Sequence, residues 1–404
     1  MPERDTEGKD GSTEAAEPGV AMDGTPLRPP ELADPPAEPG RRRIGGLDAA
    51  RALAIVGMVM VHFGPGSPPP ITWLDWSYGL ARGRASLLFV LLAGIGMTLL
   101  AGNRDLARLR RAWPRLAVRI AVLLPLGLSL QLLDIGPLVI LHFYAIYFLL
   151  AIPALLASDR LLLTASALLA VVGPACYYVI EQLRPDWVVR WNPVELTDPP
   201  LVIVRELLIS GSYPAIVWLA PFLFGMWLGR RRLHATGTRL AMLVGGAAVM
   251  LVTARLDANL PTSSWWQLVS GEAHSQMIVW LVGGLGAATA TLALCLWLTD
   301  WLGRLMWPLV AMGQLALTVY VGHLLLLAAM PSVFKAWEVD RAAILVANFT
   351  AGVLVLATLW RLAFSRGPLE GFMHLLSRGL ERVTRRRRPE ERGAATMKPT
   401  DCDP

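Results

Sequence analysis

The sequence is short of charge, lysine, cysteine and histidine, and each shortage excludes something. Only 17% of its 404 residues are charged while 54% are hydrophobic, and mean hydropathy is +0.48. A soluble chain of this length cannot hide so much apolar surface, whereas a bilayer takes it as solvent. The cysteines, Cys176, Cys295 and Cys402, have no metal-ligand spacing, and two lie inside apolar runs. That excludes a disulfide framework and a zinc site, so no metal is expected. Lysine occurs only at Lys9, Lys335 and Lys398; the other basic residues are arginine. Basic charge sits at the ends of apolar runs, which points to membrane topology and anionic headgroups and away from nucleic acid.

The net charge of +6 is uneven, because residues 1–40 hold ten acidic and three basic side chains and the remainder carries +13. Rich in Pro, Glu, Asp, Gly and Ala and without an apolar stripe, residues 1–43 read as a disordered cytoplasmic tail closed by Arg41, Arg42 and Arg43. No early apolar core follows a basic start, so this is not a signal peptide.

Apolar runs then fall at about 46–63, 85–101, 115–133, 138–157, 160–180, 213–229, 239–255, 277–298, 307–330 and 342–363. Most are long enough to cross about 30 Å of hydrocarbon at about 1.5 Å per residue. With ten spans, Arg41–Arg43 falls on the same side as three other clusters: Arg104, Arg108, Arg110 and Arg111; Arg230 to Arg232; and Arg385 to Arg388. Counting positive charge as cytoplasmic predicts an all-α polytopic protein of about ten transmembrane helices, both termini in the cytoplasm, in the plasma membrane. The opposite connectors hold Trp73, Trp76, Trp187, Trp191, Trp265, Trp266 and Trp337, as interfacial aromatics should. Over 366–388, Phe372, Leu375, Leu376 and Leu380 recur at helical spacing beside Arg378, Arg382 and Arg385, which predicts an amphipathic inner-leaflet helix. Residues 389–404 read as a disordered tail.

Of the six histidines, His62, His142, His274 and His323 fall at one expected depth near the outer face. Ionisable groups at membrane depth are costly and usually face a wet cavity, so these four are candidates to line one; separate packing roles are the alternative. In the first run, Arg51 and His62 are eleven residues apart, on one helix face and roughly 16 Å from each other. An arginine at the inner end suits an anionic cofactor, and a histidine further along suits a general base on an acceptor hydroxyl or amine. By spacing alone, an Asp48/Arg51 pair anchoring the helix end, with an unrelated interfacial histidine, is the favoured reading. Arg84, Tyr213, Ser275 and Tyr320 are candidates to hold an acceptor, with snorkelling and packing as their plainer readings. Gly94–Ile95–Gly96 and the glycines at 283, 284 and 286 read as helix contacts and not as nucleotide loops.

The stretch 46–62, GLDAARALAIVGMVMVH, resembles the first helix of the transmembrane acyltransferase superfamily, including the arginine–ten residues–histidine motif of the acyltransferase-three family. Further stretches are similar to the heparan-alpha-glucosaminide N-acetyltransferase and YeiB-like families: 83–94 (GRASLLFVLLAG), 140–146 (ILHFYAI), 211–218 (GSYPAIVW), 273–275 (AHS), 313–323 (GQLALTVYVGH) and 366–370 (RGPLE). The resemblance implies an acyltransferase domain over 44–365. It further implies transfer of an acetyl group from cytosolic acetyl-CoA, or another acyl-CoA, to an extracytoplasmic sugar or lipid-linked acceptor. Carried over, Arg51 and His62 match the motif; Asp48, Arg108 and Arg111 join Arg51 on the donor side, and His142, His274 and His323 partner His62. One departure is that the connector at 64–76 has no histidine, where the human-type heparan enzymes place their proposed catalytic one. A transporter or flippase with a histidine-lined path is the competing expectation, weakened by the lack of an internal repeat; a homo-oligomer stays open.

Overall fold

The computed structural model describes residues 43–65, 72–133, 135–188, 193–259 and 264–394. The acidic first segment with Arg41 and Arg42, Trp191 and residues 395–404 lie outside them, as do the side chains of Trp265, Trp266 and Arg385 to Arg388. From Ile44 onward the chain forms one unit, and among the described residues it contains helices and no strand.

In chain order the helices are α1 (Gly45–Phe63), α2 (Trp73–Ala81), α3 (Arg84–Ala101), α4 (Leu106–Gln131), α5 (Leu141–Leu150), α6 (Asp159–Leu183), α7 (Pro200–Arg205), α8 (Ala215–Leu228) and α9 (Thr236–Asn259). They continue as α10 (Ile278–Leu302), α11 (Trp307–Gln314), α12 (Ala316–Ala329), α13 (Pro331–Phe334), α14 (Val339–Ala363) and α15 (Pro368–Ala394). Local chemistry sets the starts. Thr72 and Asp75 form a reciprocal capping box at α2, and Asp105 and Ser158 accept from the backbones of Arg108 and Leu161 at α4 and α6.

Seven helical stretches are long and apolar enough to cross a membrane, and the pair Pro200–Ser210 and Ala215–Leu228, bent by 58°, makes an eighth if taken as one span. Besides the run at 213–229, which is α8 of that bent pair, two more of the ten expected runs are built differently from simple spans. The run at 138–157 yields only α5, ten residues or about 15 Å, half the hydrocarbon thickness. Gly136 at φ 79° and Pro137 precede it, and a 3-10 turn at Pro153–Leu155 follows. The run at 307–330 breaks at Leu315 (φ −104°, ψ 26°) into α11 and α12. Glu370 caps that break: Oε1 accepts from the backbone N–H groups of Leu317 (2.8 Å) and Thr318 (3.1 Å), and Oε2 from the Thr318 hydroxyl (2.6 Å). A carboxylate at a helix N-terminus satisfies orphaned donors and complements the dipole.

Helices α3 and α10 are interior, with 67% of their apolar window buried, whereas α9 and α14, with 17%, are peripheral. Backbones meet where glycines allow it. A Cβ at Gly94 would run into the Phe222 carbonyl of α8, one at Gly225 into the Leu91 carbonyl of α3, and Gly246 and Gly286 pair in the same way between α9 and α10. The arginines after α8 act structurally: Arg230, 1% exposed, bonds Asp159 at 2.9 Å and the Ala157 carbonyl at 2.8 Å. Along α15, Phe372, Leu375 and Leu376 are left exposed while Glu381 pairs with Arg115 of α4 at 3.1 Å.

Candidate functional site

The lower part of α1 is held tightly. Asp48, 1% exposed, pairs with Arg51 one turn on, as acid and base at i and i+3 should. Gly313 of α11 lies so close to the Asp48 backbone that a Cβ there would clash with its carbonyl. Arg51 leans towards Gly96 of α3, and its charge acts on Arg119 of α4, which also senses Arg115. Arg119 has no carboxylate partner among the described residues; the ring of Phe148 lies 5.8 Å from its guanidinium. Three guanidiniums thus gather near one end of the bundle. Arg108 turns away, reaching the Leu99 carbonyl at 3.5 Å, and Arg111 is exposed.

At the far end of α1, His62 meets His323 of α12, although 261 positions separate them. Nδ1 of His62 is 2.9 Å from Nε2 of His323, and the rings stack with centroids 5.1 Å apart and planes inclined by 16°. Nδ1 of His323 is 3.3 Å from the Val319 carbonyl. A carbonyl only accepts, so this nitrogen carries the hydrogen and Nε2 is the acceptor. His62 then donates through Nδ1–H and keeps the lone pair of its own Nε2. The tautomers follow from the network, as is usual for imidazoles. Lys335 secures the end of α1 by donating to the His62 carbonyl at 3.3 Å, and the Ala336 N–H bonds the Phe63 carbonyl at 2.8 Å.

The other two histidines are not in contact with this pair. His142, fully buried, lies against Phe143 with centroids 4.4 Å apart and packs on Gly127 of α4. His274, held at φ 60°, lies 5.8 Å from the rings of Tyr213 and Trp280. Burial, with Arg82 nearby, pushes the His274 imidazole down to about 4, so it is neutral at ordinary pH. Aromatic rings extend from each pair of histidines. Tyr320 is 5.2 Å from His323, then Phe89 follows at 6.4 Å and Tyr144 at 5.8 Å. Phe143 reaches Tyr213, which faces His274, at 5.5 Å.

Two of the residues expected to hold an acceptor are embedded in this layer. Tyr320 accepts from the Ile140 N–H at 3.3 Å, and the Tyr213 carbonyl accepts from the Tyr147 hydroxyl at 2.6 Å. Ser275 accepts from the Met277 N–H at 3.3 Å, a turn contact. Arg84, opening α3 after Gly83 at φ 70°, donates to the Gly79 carbonyl at 3.1 Å, the anchoring arrangement.

An open groove from Arg51 to His62 is not present. Ala54, Ile55 and Met58, each 4% exposed or less, fill the face between them. Helical spacing places two residues on one face but says nothing of what packs between them. Sequence reasoning also missed Lys335, Arg119 and Gln276. Gln276 is buried at φ 68° and bridges the Trp218 indole N–H (2.6 Å) and the Ser212 carbonyl (2.7 Å). Only Lys335 gave a signal, as one of three lysines in the chain.

Residues 43–258, just over half of the chain, match the family described as heparan-alpha-glucosaminide N-acetyltransferase, catalytic. Residues 227–379 match a family described as a protein of unknown function (DUF418). No curated protein matches the chain. His62 and His142 lie within the first match, His274 and His323 within the second.

Proposed function

Since the chain belongs to the heparan-alpha-glucosaminide N-acetyltransferase catalytic family, a family of membrane acetyltransferases, we propose that it moves an acetyl group from cytosolic acetyl-CoA to a hydroxyl or amine acceptor at His62, on the far side of the plasma membrane. The contact between His62 and His323 carries this reading. Nε2 of His62 takes the acceptor proton as the acceptor atom bonds to the thioester carbonyl carbon. Nδ1–H of the resulting imidazolium is held by Nε2 of His323. Cleavage of the C–S bond then releases the CoA thiolate, which recovers that proton from His62. A positioned general base contributes about 10²- to 10⁴-fold.

The guanidiniums of Arg51, Arg115 and Arg119 suit an anionic donor. Arg119, without a carboxylate of its own among the described residues, is the cation best placed to take a phosphate. Donor and acceptor meet only if the donor's pantetheine arm displaces the side chains between Arg51 and His62, Ile55 and Met58 above all, and of these Met58 gives way first. A thioether chain with three rotatable bonds yields more readily than a branched one. Both termini then lie in the cytoplasm, and α15 lays Phe372, Leu375 and Leu376 into the inner leaflet beside Arg378 and Arg382.

The bend of 58° before α8 and the break between α11 and α12 favour a second reading, transport, since broken helices often line substrate paths. Calorimetry of purified protein with acetyl-CoA separates the two. The enzyme reading expects saturable binding that Arg51→Ala weakens tenfold or more; no binding, together with solute uptake into liposomes, overturns it.

A further inference from the structure

A second feature lies on the opposite side of α1 from the Arg51 face. Val56 and Met60 of α1, Leu74 and Tyr78 of α2, and Val346 and Thr350 of α14 line a cleft of about 400 Å³. At roughly 30 Å³ per methylene, about the volume share of a water molecule, it accommodates about a dozen methylene groups. Ala347 and Ala351 on its rim are exposed, so the cleft opens between two membrane-crossing helices, where the surrounding solvent is hydrocarbon.

Its walls are apolar with two exceptions. The hydroxyl of Tyr78, a residue 1% exposed, and that of Thr350 are buried and have no hydrogen-bond partner among the described residues. Threonine in a helix ordinarily bonds the carbonyl three or four residues back, so two unsatisfied hydroxyls at one cleft call for an acceptor brought from outside. Beyond its upper end, Ala336 packs with Tyr78, Met60 and Leu74. The next residue back, Lys335, has no carboxylate partner among the described residues; its ammonium lies 3.3 Å from the His62 carbonyl and 5.9 Å from the Trp337 ring. An apolar slot, two hydroxyls and an unneutralised cation beside His62 form one sequence of chemistries.

We propose that this cleft seats an acyl chain of an anionic, phosphate-bearing membrane lipid, its ester oxygens accepting from the Tyr78 and Thr350 hydroxyls and its headgroup phosphate at Lys335. The inference rests on the transfer reading for its meaning, since it makes the acceptor lipid-borne. Its test requires no turnover and is read independently of acetyl-CoA binding.

The test uses the full chain in phosphatidylcholine nanodiscs doped with phosphatidic acid carrying a photoactivatable acyl chain, or with phosphatidylcholine carrying the same chain. Cross-linked residues are mapped by peptide mass spectrometry. Phosphatidic acid should label 56–60, 74–78 and 343–354 more strongly than phosphatidylcholine. Lys335→Gln should reduce that preference on the order of fivefold, the worth of one lysine beside an anionic lipid. Ala347→Trp, which fills the cleft from its exposed rim, should abolish labelling there by either lipid while leaving the wild-type melting temperature. Equal labelling by both lipids, cross-links confined to other helices, or labelling unchanged in Ala347→Trp overturns the proposal.

Discussion

Replacing His323 tests the imidazole pair, because the two rings are given unequal tasks. His323 accepts from His62 at 2.9 Å and is itself fixed by the Val319 carbonyl; in the proposed transfer it acts through His62 and does not touch the acceptor. As His62 takes a proton, that neutral hydrogen bond becomes charge-assisted. Bonds to charged groups contribute about 1.5–3 kcal/mol, or roughly ten- to 150-fold. His323→Ala should lower kcat by that factor with KM for acetyl-CoA unchanged, and His62→Ala should lower it by about 10²- to 10⁴-fold. Because one residue works through the other, the double variant should be no slower than His62→Ala. His323→Gln, whose amide oxygen can still accept from Nδ1–H, should recover part of the loss. The assay is transfer of labelled acetyl by protein that elutes and melts like wild type. Additive losses, or an inactive His323→Ala beside an active His62→Ala, would refute the relay.

Three further outcomes follow. Arg119→Ala should weaken acetyl-CoA binding about tenfold by calorimetry, and added salt should weaken wild type more than the variant. Met58→Trp should stop transfer while Met58→Ala preserves or speeds it, with acetyl-CoA affinity unchanged in both; equal activity of all three would place the donor arm elsewhere. For His274 the folded pKa of about 4 lies below the ordinary 6.5, so between those values the unfolded chain binds more protons and stability falls as pH falls. The melting temperature should therefore drop from pH 6.5 towards pH 4, less steeply in His274→Phe.

Much of the helical framework was legible because span formation is a property of local composition. The runs at 46–63, 239–255 and 342–363 needed only length and hydropathy, and they are α1, α9 and α14. The breaks were less legible. Nothing between Gly313 and Thr318 marks a helix interruption as proline would, and its cap, Glu370, comes from 52 residues away. Of the site, the Asp48–Arg51 pair was readable because i, i+3 geometry fixes it. The four histidines shared a depth in the sequence, yet depth leaves rotation about each helix undetermined. The fold turns His323 towards His62, while His142 and His274 sit at the two ends of a separate run of rings through Phe143 and Tyr213. Met58 was unreadable for the same reason: which neighbour fills a helix face is decided by packing.

The central claim, transfer from one side of the bilayer to the other, is tested most directly in sealed proteoliposomes of known orientation, with labelled acetyl-CoA confined to the side of the termini and a panel of amine- and hydroxyl-bearing glycans and glycolipids on the other. The account predicts acetylated product on the His62 side, absent when acetyl-CoA is supplied there instead and absent in His62→Ala. Product formed only on the side of the termini, or transfer undiminished in His62→Ala, would contradict it.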